Sequence, residues 1–261
     1  AWAQSRRGLL ELSARRLYVD GSDGLPARAS GEWGRTKLDF LTQFGPIALE
    51  ATVAKRSRWY VDLYAGPGLN VGRSSGEEFL GSPIRALELV APRSGAAFTD
   101  AFLVNQSMTA HRALEQRIDA RYAASPMAVP RDKVRTVCGD ANRELTGILD
   151  QIHPLDYVFV FADPDAPSQL PWRSIESLRS HRGHRSVDLY VLFPLDMALK
   201  RMIGYEDSAI EMNAAAMTEF FGTEDWRNVS DFVRAEHCGT TLDVASNEFT
   251  WIDADYVASR G

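Results

Sequence analysis

The sequence predicts an α/β protein built on a Rossmann-like, mostly parallel sheet with helices on both faces. Three observations predict it. From about residue 57 onward, five short apolar runs are separated by stretches of helical period. One of them, Tyr157-Val-Phe-Val-Phe-Ala, is apolar almost throughout, as a strand covered on both faces must be. The first run passes directly into Gly66-Pro67-Gly68, a bend at the strand edge where such sheets hold ligands.

Residues 1–35 are poorly patterned and read as an N-terminal extension, with 36–261 as one domain. Leu9, Leu10, Leu12, Leu17 and Tyr18 suggest a short amphipathic helix whose polar side carries Arg6, Arg7, Arg15 and Arg16. The turn-forming stretch from Asp20 to Pro26 ends it. A stronger helix is expected from Lys37 to Ala54, with Leu38, Leu41, Phe44, Ile47, Ala48 and Ala51 at three- and four-residue steps. Gly45-Pro46 is expected to kink or split it.

The expected strands then follow in order. Trp59 to Tyr64 is the first. Ala101 to Val104 is the second, followed by a helix carrying Ala113, Leu114, Arg117 and Ile118. Lys133 to Cys138 alternates as the third, with a helix from Asn142 to Ile152. Tyr157 to Ala162 is the fourth, and Val187 to Phe193 the fifth. A helical region rich in Met and Ala comes next, and Glu236 to Tyr256 resembles a closing β-pair. No internal repeat or low-complexity tract interrupts the chain.

Composition narrows the function. The 261 residues hold 29 Lys and Arg against 35 Asp and Glu, a formal charge of −6, with 45% apolar and 25% charged residues. That is ordinary globular usage. The mild acidity argues against coating nucleic acid by charge alone and leaves room for a local basic groove. No run approaches the roughly 18 apolar residues of a membrane span, and no signal-like segment is present, so a cytoplasmic protein is expected. Cys138 and Cys238 are too few for a disulfide framework or a thiolate zinc site. The chain opens on Ala1 rather than Met, so its natural start is left open.

The glycine bend carries the chemistry. A dinucleotide fingerprint would need glycine at position 71, where the chain has Val71. Asp62, four residues before Gly66, would oppose a pyrophosphate and suits a cofactor with a cationic end. S-adenosylmethionine, with its ammonium and sulfonium groups, is the expected cofactor; a plain turn capped by Asp62 is the bland alternative. The second strand ends at Asn105, which can bond a ribose hydroxyl with neutral strength only. The third ends at Gly139-Asp140, where a carboxylate can accept from the adenine amine or cap the next helix, the more so with Glu144 following. Tyr64 and Ala141 complete the expected cofactor set.

The fourth strand ends Asp163-Pro164-Asp165-Ala166-Pro167, where the prolines hold the chain extended and fix Asp163 at the edge. Asp163 is therefore the expected catalytic residue. Trp172 either stacks on a substrate or is a buried cover for the sheet edge. Ser82-Pro83 reads as an N-cap and first helical residue. The polar segment Asn70–Leu80 before it is either a lid or a solvated insertion.

Other chemistry finds little support. His181-Arg-Gly-His184-Arg185 lacks further metal ligands and reads as a basic turn, with contact to phosphates as its alternative. No metal site is expected. No nucleophile elbow or P-loop is present, and Cys138 reads as a small core residue. Lys200 and Arg201 line a pocket or lie on a helix face.

Together these phrases resemble the three-Cys-motif partner (TcmP) proteins, a class I methyltransferase-like family. The matching segments run from Asp23-Gly-Leu-Pro-Ala-Arg and Trp33 with Lys37, through Tyr60-Val-Asp-Leu-Tyr-Ala-Gly-Pro-Gly and Gly81-Ser-Pro-Ile-Arg-Ala-Leu. They continue with Gly139-Asp-Ala-Asn, Asp163-Pro164, Pro171-Trp172, Leu192-Phe-Pro and Phe220-Phe-Gly-Thr-Glu-Asp-Trp. The resemblance implies a class I methyltransferase fold and association with a three-cysteine protein of radical-enzyme character. It departs from the family at Asp165-Ala166, where Asp-Pro-x-Gly is usual, and at Asn105, where an acid is usual. Amino-group methyltransferases carry Asp or Asn with Pro-Pro and an aromatic at the fourth strand end; here only the Asp-Pro is kept. The leading expectation is a methyltransferase whose acceptor is a nucleic-acid base amino group. Its alternatives are a non-catalytic partner or scaffold protein and a different nucleotide-dependent transferase.

Overall fold

A computed structural model describes residues 17–31, 33–181, 187–192 and 207–227. The expected closing β-pair, Cys238, His184, Lys200 and Arg201 lie outside the described residues, as does most of the expected N-terminal helix.

Two sheets organise the described residues. The larger has five strands: β3 (Arg58–Asp62), β6 (Asp100–Asn105), β7 (Val134–Cys138), β8 (Tyr157–Ala162) and β9 (Val187–Val191), in the order β7-β6-β3-β8-β9. Every neighbouring pair is parallel. Chain order along the sheet reverses between β3 and β8, the arrangement of a doubly wound, Rossmann-like sheet. The expected fold class is the one present.

The period of two along β3 divides its side chains between two cores. Tyr60 faces a cluster with Leu103, Phe159 and Phe161, covered by α1 (Trp33–Ala51), α2 (Ser82–Glu88) and α3 (Met108–Ala124). Trp59 and Val61 face the other cluster, with Phe102, Val158 and Val160 under α4 (Ala141–Leu149) and α5 (Trp172–His181). The last helix among the described residues, α6 (Asp207–Phe221), buries Met217 and Phe220 with Trp226.

The helix expected from Lys37 is not split: α1 is continuous, with Pro46 inside it. Pro46 deletes one backbone bond, but Leu38, Leu41 and Leu49 stay on one buried stripe, each burial worth about 2 kcal/mol. Gly45 permits the close contact, since a Cβ there would lie 2.5 Å from Leu89 Cδ1.

The smaller sheet was not expected. β1 (Tyr18–Asp20), β2 (Pro26–Ser30), β4 (Leu69–Gly72) and β5 (Glu78–Leu80) lie in the order β1-β2-β4-β5. β2 and β4 pair in parallel, while β1 with β2 and β4 with β5 are antiparallel. The segment expected as a polar lid or solvated insertion thus folds as two strands, with Phe79 buried and Gly76 turning at φ 70°. Strands of three to five residues with half-exposed alternation give little periodic signal, which is why the sequence reads them as loop.

Among the described residues, no helix is long and apolar enough to cross a membrane.

Candidate active site

Parallel pairing sends the carboxyl ends of all five strands to one edge, and the glycine bend crosses that edge where the strand order reverses. Gly66 and Gly68 have φ of 64° and 82°, the left-handed region that glycine alone adopts without strain. Three successive carbonyls of this bend are held from within. Gly66 O accepts from Asn105 Nδ2 at 2.9 Å, Pro67 O from Arg117 Nη1 at 2.7 Å, and Gly68 O from Gly81 N at 2.9 Å. A Cβ on Gly68 would lie 2.9 Å from Leu114 Cδ1, so that side is filled. A Cβ on Gly66 would meet nothing within 4 Å, so one face of the bend is open.

Asp62, expected to meet the cationic end of a cofactor, is turned inward. It is fully buried. Its Oδ2 accepts from Tyr60 Oη at 2.9 Å and its Oδ1 from Tyr64 N at 3.1 Å. Ser82 donates a further hydrogen bond. Gly81, not Ser82, is the N-cap of α2, and the buried Ser82 serves Asp62 instead of the helix end. Burial pushes the Asp62 carboxyl up to about 7, against the pull of the Ser82, Tyr60 and Tyr64 hydrogen bonds. Burial also raises the Tyr60 hydroxyl well above its ordinary range, and the nearby Asp62 adds to this. Asn105 is likewise buried and committed to Gly66 O.

Asp140 resolves its two expected roles in favour of the cap, without closing the other. Its Oδ1 accepts from Asn142 N and Arg143 N at 3.0 and 3.2 Å, starting α4 at Ala141. The residue is half-buried and stays at the edge, beside Gly139. Tyr64 is also half-buried. Its hydroxyl donates to Gln169 O, which accepts from Asn142 Nδ2 as well, and this pulls the segment after β8 across the edge. Burial raises the Tyr64 hydroxyl above its ordinary value, with the charges of Asp140 and Asp165 adding to the shift.

Asp163 follows β8 directly and is ion-paired: Lys37 Nζ, from the start of α1, bonds its Oδ2. The same Nζ lies 4.1 Å from the centroid of the Trp33 ring. Burial raises the Asp163 carboxyl above its usual range, and Lys37 opposes the shift by charge and hydrogen bond. Two residues on, Asp165 pairs with Arg28 of β2. Tyr190 is pushed up to about 12, first by burial and then by the Asp163 charge. Trp172, expected to be buried or to stack on a substrate, is 36% exposed, donates to Glu176, and has its ring against Gly222.

The sequence reading places Arg117 only in the stripe of a helix, and Lys37 only at a helix start and in a family phrase, with no site role for either. The signal for Arg117 was available: it continues the apolar stripe of Ala110, Ala113, Leu114 and Ile118, where a cation must be paired to be buried. The signal for Ser82 and Lys37 was not, because their partners lie 20 and 126 positions away.

An adenosyl group finds a partial fit here. The open face of Gly66, the half-buried Tyr64 and the Gly139-Asp140 edge can receive it. Asp62 and Asn105 offer their polar atoms inward.

No protein-family model matches the chain, and no curated protein matches it. Among solved structures, the chain is similar to a Legionella pneumophila protein of the DUF519 family, with 14% identity, 70% of this chain and 73% of that one covered, and a TM-score of 0.44. It is also similar to a conserved hypothetical protein of Streptococcus pyogenes, with 18% identity, 54% and 74% covered, and a TM-score of 0.31. A third structure, from Methanococcus maripaludis, is named for an inferred S-adenosyl-L-methionine-dependent methyltransferase activity, with 12% identity, 83% and 89% covered, and a TM-score of 0.27. No residue role is carried over from any of the three.

Proposed function

We propose that the protein is an S-adenosylmethionine-dependent methyltransferase acting on an amine. One observation carries the reading: the open glycine bend after β3 and Asp163 after the neighbouring β8 flank the point where the strand order reverses, and Asp140 lies on the same sheet edge at the end of β7, two strands away. Tyr64, Gly66, Gly139, Asp140 and Ala141 would hold the adenosyl part. When bound, the cofactor supplies an electrophilic methyl group. Asp163 orients the acceptor by accepting a hydrogen bond from its N–H, which aligns the nitrogen lone pair and gives the released proton a destination. Lys37 occupies that carboxylate in the structure, so the acceptor must displace or share it. The acceptor we favour is the exocyclic amino group of a nucleic-acid base, and a three-cysteine-motif protein is the expected partner.

One observation favours a second reading, a methyltransferase scaffold that binds a nucleotide or a protein without chemistry: Asp62 and Asn105 spend their polar atoms on the fold. Calorimetry with S-adenosylmethionine and transfer of a labelled methyl group to oligonucleotides separate the two. The first reading expects binding in the micromolar range and transfer that falls at least 100-fold in Asp163→Ala with binding unchanged. Binding without transfer leaves the scaffold, and no binding at millimolar concentration removes the cofactor.

A further inference from the structure

Arg117 joins three parts of the molecule that the sequence keeps far apart. It projects from the buried stripe of α3 and is only 7% exposed. A guanidinium has five N–H groups, and each is used. Nε donates to Asp23 Oδ2 at 2.8 Å, and Nη2 to Asp23 Oδ1 at 2.9 Å and Leu25 O at 3.0 Å. Nη1 donates to Pro26 O and to Pro67 O, both at 2.7 Å. Four of these bonds hold the turn between β1 and β2, and the fifth holds the centre of the glycine bend.

Pro67 makes that fifth bond consequential. It has no N–H, so its carbonyl is its one backbone handle, and it separates two glycines that sit in the left-handed region. A pair of glycines leaves a bend free to sample many conformations, at an entropic cost whenever a ligand requires one of them. Asn105 and Gly81 fix the carbonyls on either side. Gly81 does so from the end of β5; Arg117 differs from both in tying the bend to the turn between β1 and β2.

We infer that Arg117 is a positioning residue for the ligand-binding bend, held in place by Asp23, and that it preorganises Gly66-Pro67-Gly68 for an adenosine-bearing cofactor. It touches neither cofactor nor acceptor and acts through the Pro67 carbonyl. A bend held in one conformation binds with less loss of freedom than one that must be ordered on contact. The inference rests on the proposed cofactor site for its ligand but not for its effect on the bend.

The test uses the full chain and three variants. Arg117→Lys keeps the charge and loses the planar fork. Asp23→Asn keeps the shape and weakens the ion pair. Leu149→Ala, in the core on the opposite face of the sheet, is a control for stability alone. Amide hydrogen exchange at Gly66 and Gly68 is expected to accelerate at least about tenfold more in Arg117→Lys than in Leu149→Ala at matched loss of Tm. The dissociation constant for S-adenosylmethionine is expected to rise about tenfold in Arg117→Lys and to stay unchanged in the control. Exchange at the bend no faster than in Leu149→Ala overturns the inference, as does an equal loss of affinity in both variants. Should the wild-type protein bind no S-adenosylmethionine, the cofactor reading fails and the exchange measurement still decides the role of Arg117. Should Arg117→Lys not fold, Asp23→Asn is read against the same two criteria.

Discussion

Asp62 and Asp163 end neighbouring strands of one sheet, yet they are held in opposite ways. Asp62 is sealed and receives hydrogen bonds from Tyr60, Ser82 and the Tyr64 amide, with no cation bonded to it. Asp163 keeps some exposure, with its side chain 24% accessible, and carries the Lys37 ammonium. Burial raises both carboxyls. What separates them is the kind of partner that answers the burial. Neutral donors let a carboxyl sit inside the protein in either protonation state. A cation instead favours the ionised form at the edge, where an N–H can reach it. The first arrangement suits a brace beneath the glycine bend, and the second suits a group that takes part in chemistry.

The comparison breaks most sharply at Asp62. Asp62→Ala leaves three buried donors without their acceptor, at about 1–3 kcal/mol each before relaxation, so a loss of roughly 3–4 kcal/mol is expected at pH 5. The sign of its pH dependence follows from the raised carboxyl. Its folded pKa is about 7 against an ordinary 3.8, so between these values the native state holds a proton that the unfolded chain has released. The stability Asp62 contributes is complete below about pH 4 and is lost as pH rises through about 7. The cost of Asp62→Ala must therefore shrink between pH 5 and pH 8, as read by urea unfolding at each pH. A cost that grows with pH would mean that Asp62 is held ionised, and the contrast with Asp163 would fall.

Lys37→Met sharpens the other half. It keeps the length of the stem and removes the charge, leaving Asp163 largely buried without its cation. A loss of about 2 kcal/mol is expected, below the 3–5 kcal/mol of a fully buried pair because both groups retain some exposure. Here the pH trend runs the other way. Without Lys37 the Asp163 carboxyl titrates higher still, so the cost of Lys37→Met grows as pH rises and is smallest where Asp163 is protonated in both proteins. Unfolding curves for the two variants should therefore change in opposite directions with pH. Parallel curves would show that neutral donors and a cation answer burial alike.

The strand ends that carry these residues were readable in advance, because Trp59–Tyr64 and Tyr157–Ala162 are apolar runs closed by Gly or Pro. The direction each carboxylate faces was not. Tyr60 and Asp62 are two residues apart on one strand and so share a face, a local clue that Asp62 points into a core. Ser82 and Lys37 come from helices whose docking depends on packing that no local pattern encodes. The small sheet escaped for a related reason: its strands are short, and β2 finds β4 only after α1 and β3 have intervened. Asp140 stood between the two cases, since its capping bonds are local and its place at the edge is not.

The smallest effect sits at the rim. Arg28 and Asp165 bridge β2 and the segment after β8, as Lys37 and Asp163 bridge α1 and the strand end, but their side chains are 25% and 54% exposed. Water screens the outer pair, and holding two long side chains in one geometry costs entropy, so Arg28→Ala is expected to lose no more than about 0.5–1 kcal/mol. Ionic strength separates the pairs better than the loss itself. Raising salt from 0.05 to 0.5 M, by about tenfold, shortens the Debye length to a few ångströms and should remove most of the Arg28→Ala effect. The Lys37→Met effect should persist, because the ions that screen the rim do not reach a pair buried to that depth. If both effects faded together, the inner pair would be as wet as the outer one, and Asp163 would be an ordinary surface carboxylate without the burial that makes it fit to take a proton.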